Sequence, residues 1–579
     1  YIEDTVYVNR DLCYHLQFIP ANSQDFGFRG ELYVLADSTL HVKKCNLYMP
    51  HNSAVNWVKD MKIEQEYTKL DNGEWVLTKD DMIAEMHMNK LLQDLLVVRN
   101  TRITDYAFDP LPKMLFKGKA KVRHDMDAMN RDEAYWNKYR QVGLTKSESS
   151  MDSFIHRMEN SKGFKYIIFG VKALMENYVE IGSGGKDGRK SLFDLGPINT
   201  FLSNNYVDGV RLRLAARTMA ALNPHFFWDG YGAYGTKSHN WYYGHLFTYS
   251  LNKKKNSPFE FPMRKFVFEI GHDITSPSDD NLLHNKDNFF MTLRATTQDQ
   301  MYQYHRQKVT FTYETDWGFR FDTSLRWQSN RTVGNLHYYR VSDGEEIRKI
   351  RTTEASVGLD YNPGVTYVNT KQQRLPINLD SPEISLRHTM GLDGFMGGQY
   401  QSNLTTLGIY KRQWLGSFGY MDFNIVGKAQ WSKVPFTMLI QPPVNLSIFE
   451  QEATISMMKD WEFLSDRQLF WSVAWDMNGK LLNRIPLIKK LKWREYVAIK
   501  GVWGDLTSKN DPSKNLNDEK LFKFPTNSYT FGKTPYWEFV AGVHNIFKFF
   551  GIDYVRRLNY YDHANISKWG IRMGFLMSF

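Results

Sequence analysis

The side chains that could do chemistry are scattered, and their spacing limits what each can do. His272-Asp273 followed by Asp279-Asp280 offers an imidazole and three carboxylates. Oxygen-rich groups of this kind bind hard cations, but at a strand end running into a polar loop they read more simply as solvated charge. His225, His239 and His245 lack metal-site spacing. His245 shares its parity with Trp241, Tyr243, Phe247 and Tyr249, which suits an interface better than a ligand set. There is no G-x-S-x-G elbow, H-E-x-x-H, C-x-x-C or phosphate loop. Phe395-Met396-Gly397-Gly398-Gln399 reads as a glycine-rich turn. With no nucleophile–base set, no enzymatic activity, cofactor or metal is expected.

One cluster points to mechanics rather than catalysis. Asp460, Glu462, Asp466 and Arg467 surround Phe463 in a late polar stretch. Folded inward, these groups could lock against lumen arginines such as Arg211 and Arg213, holding a plug or gate by charge-assisted hydrogen bonds. The alternative is an exposed loop with solvated charges.

The elements that would position these residues are strands. Val210, Leu212, Leu214 and Ala216 alternate with Arg211, Arg213 and Arg217. Phe319, Phe321, Leu325 and Trp327 alternate with Arg320, Asp322, Ser324, Arg326 and Gln328. Side chains along a strand point to opposite faces in turn, so one face is greasy and the other charged or small. The final stretch has the same form. Trp569, Ile571, Met573, Phe575, Met577 and Phe579 share a parity, against Gly570, Arg572, Gly574 and Ser578, with Leu576 the apolar exception. A strand ending on an aromatic residue is expected to be the closing strand of a transmembrane barrel, sealed by pairing with the first.

About sixteen strands are expected from Val207 to Phe579, an antiparallel transmembrane β-barrel over 201–579. Aromatics at the ends of the apolar parity suit the headgroup levels of a bilayer. The long connections 252–262, 276–300, 331–351, 365–382, 432–449 and 506–535 are expected outside the cell. Residues 1–108 read as a periplasmic β domain with strands near 13–19, 31–35, 41–49, 59–69, 74–79 and 83–88. Asn72-Gly73 suits a tight hairpin. The meander looks like an open half-barrel, able to hold an acyl chain or peptide or simply structural. Residues 109–200 read as a helical connector or plug. Thr145-Lys146-Ser147-Glu148 is a capping box opening a helix with Met151, Phe154, Ile155 and Met158 on one face. A second helical stretch over 166–178 is closed by Gly182-Ser183-Gly184-Gly185.

Composition fits this mostly β reading. The 579 residues are 15% aromatic with a mean hydropathy of −0.50, and no run of about 18 apolar residues could form a spanning helix. A net charge of +10 arises from cations spread along the chain without a nucleic-acid motif. A basic lumen, or contact with outer-membrane lipid and lipopolysaccharide, explains it, and no nucleic-acid partner is expected. The sequence starts at Tyr1 without a signal peptide and reads as a processed portion of something longer. Cys13 and Cys45 are either a disulfide or two small buried residues.

Several stretches resemble a family of Bacteroidota outer-membrane proteins that carry an upstream carboxypeptidase-regulatory-like module, a domain of unknown function and a barrel. They are D-L-C-Y-H-L-Q-F-I-P at 11–20, I-E-Q-E-Y at 63–67, Y-V-D-G-V-R-L-R-L at 206–214 and G-Y-G-A-Y-G-T-K at 230–237. E-F-L-S-D-R at 462–467, N-R-I-P-L-I-K-K-L-K-W-R at 483–494 and F-V-A-G-V-H-N-I-F-K at 539–548 complete the set. The barrel half also resembles the outer-membrane insertase (surface antigen) superfamily. That likeness implies an envelope transport or assembly role, insertase-like or as a translocation channel, or else a non-conducting scaffold among other envelope proteins. The V-R-G-F-type loop motif of that superfamily is missing; D-W-E-F-L-S-D-R stands at about its position.

Overall fold

The computed structural model describes residues 2–20, 27–49, 56–86, 95–112, 132–146, 150, 163, 166, 169–170, 173, 176–182, 190–282 and 284–575. Its first part is a seven-stranded antiparallel meander in chain order: β1 (Ile2–Val8), β2 (Asp11–Phe18), β3 (Arg29–Leu35), β4 (Val42–Tyr48), β5 (Val58–Lys69), β6 (Trp75–Met86) and β7 (Leu95–Arg102). The expected hairpin joins β5 to β6, with Gly73 at φ +91°, a conformation glycine adopts freely. β6 is continuous where two strands were expected, and β1 and β7 were not anticipated. Cys13 and Cys45 are buried free thiols. They lie on β2 and β4 with β3 between them, too far apart to bond.

Helix α1 (Glu133–Tyr139) is capped by Asp132, whose carboxylate accepts the Tyr135 N–H at 2.8 Å. Glu148, Met151, Phe154, Ile155 and Met158 lie outside the described residues. Tyr166, Phe169, Gly170, Ala173 and Glu176 are helical, but strand β8 (Val179–Ile181) follows before Gly182, so the glycine run does not end that helix.

The second sheet has 18 strands. β8 pairs with β9 (Phe193–Leu195), and β10 (Leu202–Asn205) opens the meander. Then come β11 (Gly209–Thr218), β12 (Phe226–Gly235), β13 (Trp241–Ser250), β14 (Arg264–Thr275), β15 (Gln300–Glu314), β16 (Phe319–Gly334) and β17 (Lys349–Tyr361). A small separate hairpin, β18 (Tyr367–Asn369) and β19 (Arg374–Pro376), interrupts. The meander resumes as β20 (Glu383–Gly391), β21 (Ser402–Trp414), β22 (Tyr420–Gln430), β23 (Arg467–Asp476), β24 (Arg494–Asp505), β25 (Tyr536–Ile546), β26 (Phe550–Arg557) and β27 (Trp569–Phe575). Short helices α2 (Pro277–Asp280) and α3 (Pro486–Lys489) sit in connections. Fifteen of these strands, β11–β17 and β20–β27, lie beyond Val207, where about sixteen were expected, and the short β8, β9 and β10 precede it.

Burial along this sheet is inverted relative to a water-soluble sandwich. On β11, Val210, Leu212 and Leu214 are 46, 52 and 61% exposed, whereas Arg211 and Arg213 are 0 and 7% exposed. On β27 the apolar parity, Trp569, Ile571, Met573 and Phe575, is exposed and Arg572 is buried; Met577 and Phe579 lie outside the described residues. Leu386, Leu407, Ile409, Ile425, Leu469 and Ile499 are exposed, while Asp422, Gln468, Ser472, Lys500, Glu538 and Asp553 are buried. The greasy parity faces out and the charged parity faces in.

Tight turns at 315–318, 415–419 and 547–549 mark one end of the sheet. Connections 276–299, 335–348, 431–466 and 506–535 mark the other. Contrary to expectation, 252–262 and 365–382 lie at the tight-turn end, since each follows a strand running that way. The first sheet also touches this end: Asn56 donates to Asn545 at 2.7 Å, and the Lys548 ammonium sits 4.4 Å over the Trp57 ring.

The expected direct seal between last and first strands is absent among the described residues. β9 and β10 lie end to end along β11, opposite 216–218 and 209–212. β8 follows β27 in the sheet order. Farther along, the outer edge of β27 is taken by a loop: the Glu450 N–H donates to the Met573 carbonyl at 2.8 Å, and the Met573 N–H to the Ile448 carbonyl at 2.7 Å.

Candidate functional site

The connection from β22 to β23, residues 431–466, folds against the charged face of the sheet. Pro435, Pro442 and Pro443 keep it from extending the ladder, because proline lacks an N–H. Its apolar residues pack inward instead. Val434, Phe436, Leu439, Trp461 and Leu464 join Leu336, Tyr338 and Phe522 in one cluster. Val444, Leu446, Ile455, Met458 and Phe463 join Phe470, Val502 and Tyr536 in a second.

A buried irregular segment must find partners for its backbone, and the inner wall supplies them as ions. Lys500 of β24 donates to the carbonyls of Gln451 at 2.9 Å and Thr454 at 2.8 Å, and pairs with Glu450. The Glu538 carboxylate of β25 accepts the N–H groups of Ser456 at 3.0 Å and Met457 at 2.9 Å. Arg557 of β26 donates to the Met457 carbonyl at 3.3 Å and to Glu462 at 2.7 Å. Arg572 of β27 donates to the Ser456 carbonyl at 2.8 Å. Each of the last four strands thus contributes one buried ion to the same stretch of backbone. Lys500 stands directly opposite Glu538, and Glu538 opposite Arg557, so unlike charges alternate across the wall.

Glu462 also lies 2.8 Å from His563. Burial raises the Glu462 carboxyl, but hydrogen bonds from His563 and Arg557 outweigh it and hold the group below its ordinary value. Asp460 differs. It accepts from Ser278 at 2.8 Å and Gln298 at 3.3 Å, and burial pushes its carboxyl up to about 6. Asp466 accepts from Asn510 at 2.9 Å and from the Thr507 hydroxyl. Arg467 is exposed at the start of β23.

The anticipated partners of this cluster are engaged elsewhere. Arg211 is ringed by Asp208 at 3.2 Å, Asp273 at 2.9 Å and Asp287 at 3.2 Å. Arg213 donates to Thr200 at 2.6 Å and stands 3.5 Å from Asp287. These arginines anchor connection 276–299, which in turn grips the inserted segment: Ala295 donates to the Leu446 carbonyl at 2.9 Å and Ile448 to the Leu293 carbonyl at 2.8 Å. Glu462 meets Arg557 and His563, and Asp460 meets the neutral Ser278 and Gln298; neither carboxylate is placed against Arg211 or Arg213, because the segment lies against the last strands rather than β11. Lys500, Glu538, Arg557 and Arg572 were readable only as charged members of the inward parity.

The other candidates do not converge. Asp279 pairs with Arg294 at 2.8 Å, Asp280 accepts from Tyr302 at 2.7 Å, and His272 stacks on His305 at 3.9 Å. His225 lies 2.8 Å from the Ser250 carbonyl, His239 lies 3.1 Å from the Tyr234 hydroxyl, and His245 stacks with Trp228 and Tyr243. Phe395–Gly397 is a 3-10 turn entered through Gly394 at φ +78°. Among the described residues no group of three or more His, Cys, Asp or Glu is placed to hold a metal ion. Beside the inserted turn at 450–453 is a cavity of about 620 Å³ lined by Arg412, Asp422, Glu452, Tyr496, His544 and Asp553.

The chain is similar to solved structures at low sequence identity. BamA from Haemophilus ducreyi lacking POTRA domains 1–3 is 9% identical with a TM-score of 0.42, over 73% of this chain and 82% of that one. CdiB from Acinetobacter baumannii is 11% identical with a TM-score of 0.31, over 64% of this chain and 57% of that one. No curated protein matches the chain. Residues 179–430 match the C-terminal domain of a family of unknown function, DUF5686.

Proposed function

We propose that this chain is an integral outer-membrane β-barrel, with the sheet of β1–β7 on the periplasmic side, working in envelope transport or assembly as an insertase-like or translocation channel. The observation that carries it is the inverted alternation: ordinary solution offers no reason to expose Leu212 and Leu214 while burying Arg211 and Arg213. Trp241, Trp431 and Trp569 are exposed near one end of the sheet, and Trp317, Trp414 and Phe547 near the other, matching two headgroup levels. β11–β17 and β20–β27 supply fifteen crossings, and β9 and β10, end to end along β11, stand together as a further one. On this reading closure runs by way of β8, which follows β27 in the sheet order, beside the 448–450 segment on the edge of β27.

A second reading, a non-conducting barrel that scaffolds other envelope proteins, is favoured by the ion-held segment filling the lumen. Neither reading invokes an enzyme, a cofactor or a nucleic acid; lipid, lipopolysaccharide and envelope proteins are the partners. Planar-bilayer conductance of the whole chain, with and without residues 1–190, separates them. Discrete conducting events support transport. A silent barrel that copurifies with envelope proteins supports the scaffold.

A further inference from the structure

The connection between β23 and β24, residues 477–493, has an unusual surface. It exposes Leu481 at 56%, Ile485 at 47%, Leu487 at 79% and Leu491 at 50%. Interleaved with them are Arg484, Lys489, Lys490 and Lys492, with Arg494 opening β24, and no acidic residue occurs from 477 to 494. The flanking acids serve the backbone: Asp476 accepts the Asn478 N–H at 2.8 Å, and Glu495 accepts the Leu482 N–H. Lys548, from the turn after β25, adds a further cation near Lys492 and Arg494, and burial together with these like charges holds the Lys492 ammonium below its ordinary value.

The position of this patch matters. It lies at the tight-turn end, the end touched by the first sheet. Trp475 donates to the Phe418 carbonyl at 2.9 Å, and Phe418 and Trp414 are both exposed there. An apolar surface mixed with cations, set beside an aromatic ring at a bilayer edge, matches an interfacial element. Its leucines enter the acyl boundary and its long cations reach phosphates.

We propose that residues 481–494 form a docking site for the headgroups of anionic phospholipids in the leaflet on the side of the first sheet. Leu481, Ile485, Leu487 and Leu491 insert, and Arg484, Lys489, Lys490 and Lys492 bind the phosphates. This rests on the membrane-barrel reading.

The test is native mass spectrometry of the full chain in detergent, titrated with phosphatidylglycerol or with phosphatidylcholine of the same acyl chains. Phosphatidylglycerol should be retained at concentrations about tenfold lower, with the preference shrinking as salt rises. A variant carrying Arg484→Gln, Lys489→Gln, Lys490→Gln and Lys492→Gln should bind both lipids alike. Equal retention by the unaltered chain overturns the inference, as does a preference that survives the four substitutions or ignores salt. Should that variant fail to fold, the salt dependence of the unaltered chain decides. Insertion into vesicles is scored separately by resistance to alkaline extraction. An extractable chain defeats the barrel reading, whereas an inserted chain without lipid preference defeats only this inference.

Discussion

Lys500 and Glu538 face each other across the β24–β25 pair and grip neighbouring turns of one inserted segment. Lys500 binds the carbonyls of Gln451 and Thr454, and Glu538 binds the N–H groups of Ser456 and Met457. A cation for carbonyls and an anion for amides leaves neither charge unbalanced in a buried setting, where a lone charge is costly.

Removing one member should therefore hurt more than the lost contacts suggest. Glu538→Gln leaves Lys500, Arg557 and Arg572 without their central anion, at a cost of about 3 kcal/mol. Hydrogen exchange resolved by peptide should show 431–466 deprotected while the strands stay protected. Unchanged protection of 431–466 would show that the apolar clusters alone hold the segment.

Asp460 makes stability pH-dependent in a defined sense. Its carboxyl is held near 6, above its ordinary 3.8, so between those values the folded chain keeps a proton that the unfolded chain releases. Stability from this group is full below about 3.8 and falls as pH rises to about 6, then levels off. Asp460→Asn should abolish that slope and raise stability at pH 8 by about 3 kcal/mol. Denaturant melts at a series of pH values read this directly.

In the first sheet the sign reverses. Hydrogen bonds from Lys79 and Lys44 hold Glu64 at about 2, below its ordinary 4.5. The stability it confers is present above about 4.5 and lost as pH falls towards 2. Protection factors of the β5 amides, relative to intrinsic exchange at each pH, should fall over that interval in the unaltered chain, and Glu64→Gln should flatten the response.

How much of this was legible depends on how local the signal is. The parity of β11 and β27 was plain because a strand with one greasy and one charged face must alternate at every residue. β1 and β7 escaped because edge strands of an open sheet expose both faces and need not alternate; Leu95, Leu96 and Val98 are all exposed. The cluster around Phe463 could be read as a lock or as an exposed loop, and nothing local named its partners. Glu462 and Arg557 are 95 residues apart, and no periodicity encodes which inward charge a folded loop will meet. The seam was misjudged for the same reason, since the 448–450 segment reaches β27 only through the tertiary fold.

Outward positions should reject charge. Leu407, exposed near the middle of β21, replaced by Arg should cost about 2–4 kcal/mol of folding into bilayers. Thr406→Ser, on the neighbouring inward position, should stay within about 0.5 kcal/mol. Urea titrations of vesicle-folded protein, followed by tryptophan emission, measure both.

The most direct test is to ask the lipid which side chains it touches. Protein folded into vesicles is labelled with a lipid-dissolved photoactivatable carbene and mapped by peptide mass spectrometry. Label should fall on Leu212, Leu214, Leu386, Leu407, Ile409 and Ile499 and spare Arg211, Ser472, Lys500 and Glu538. Label absent from the first set, or spread evenly over both, would contradict a barrel with its greasy face in the membrane.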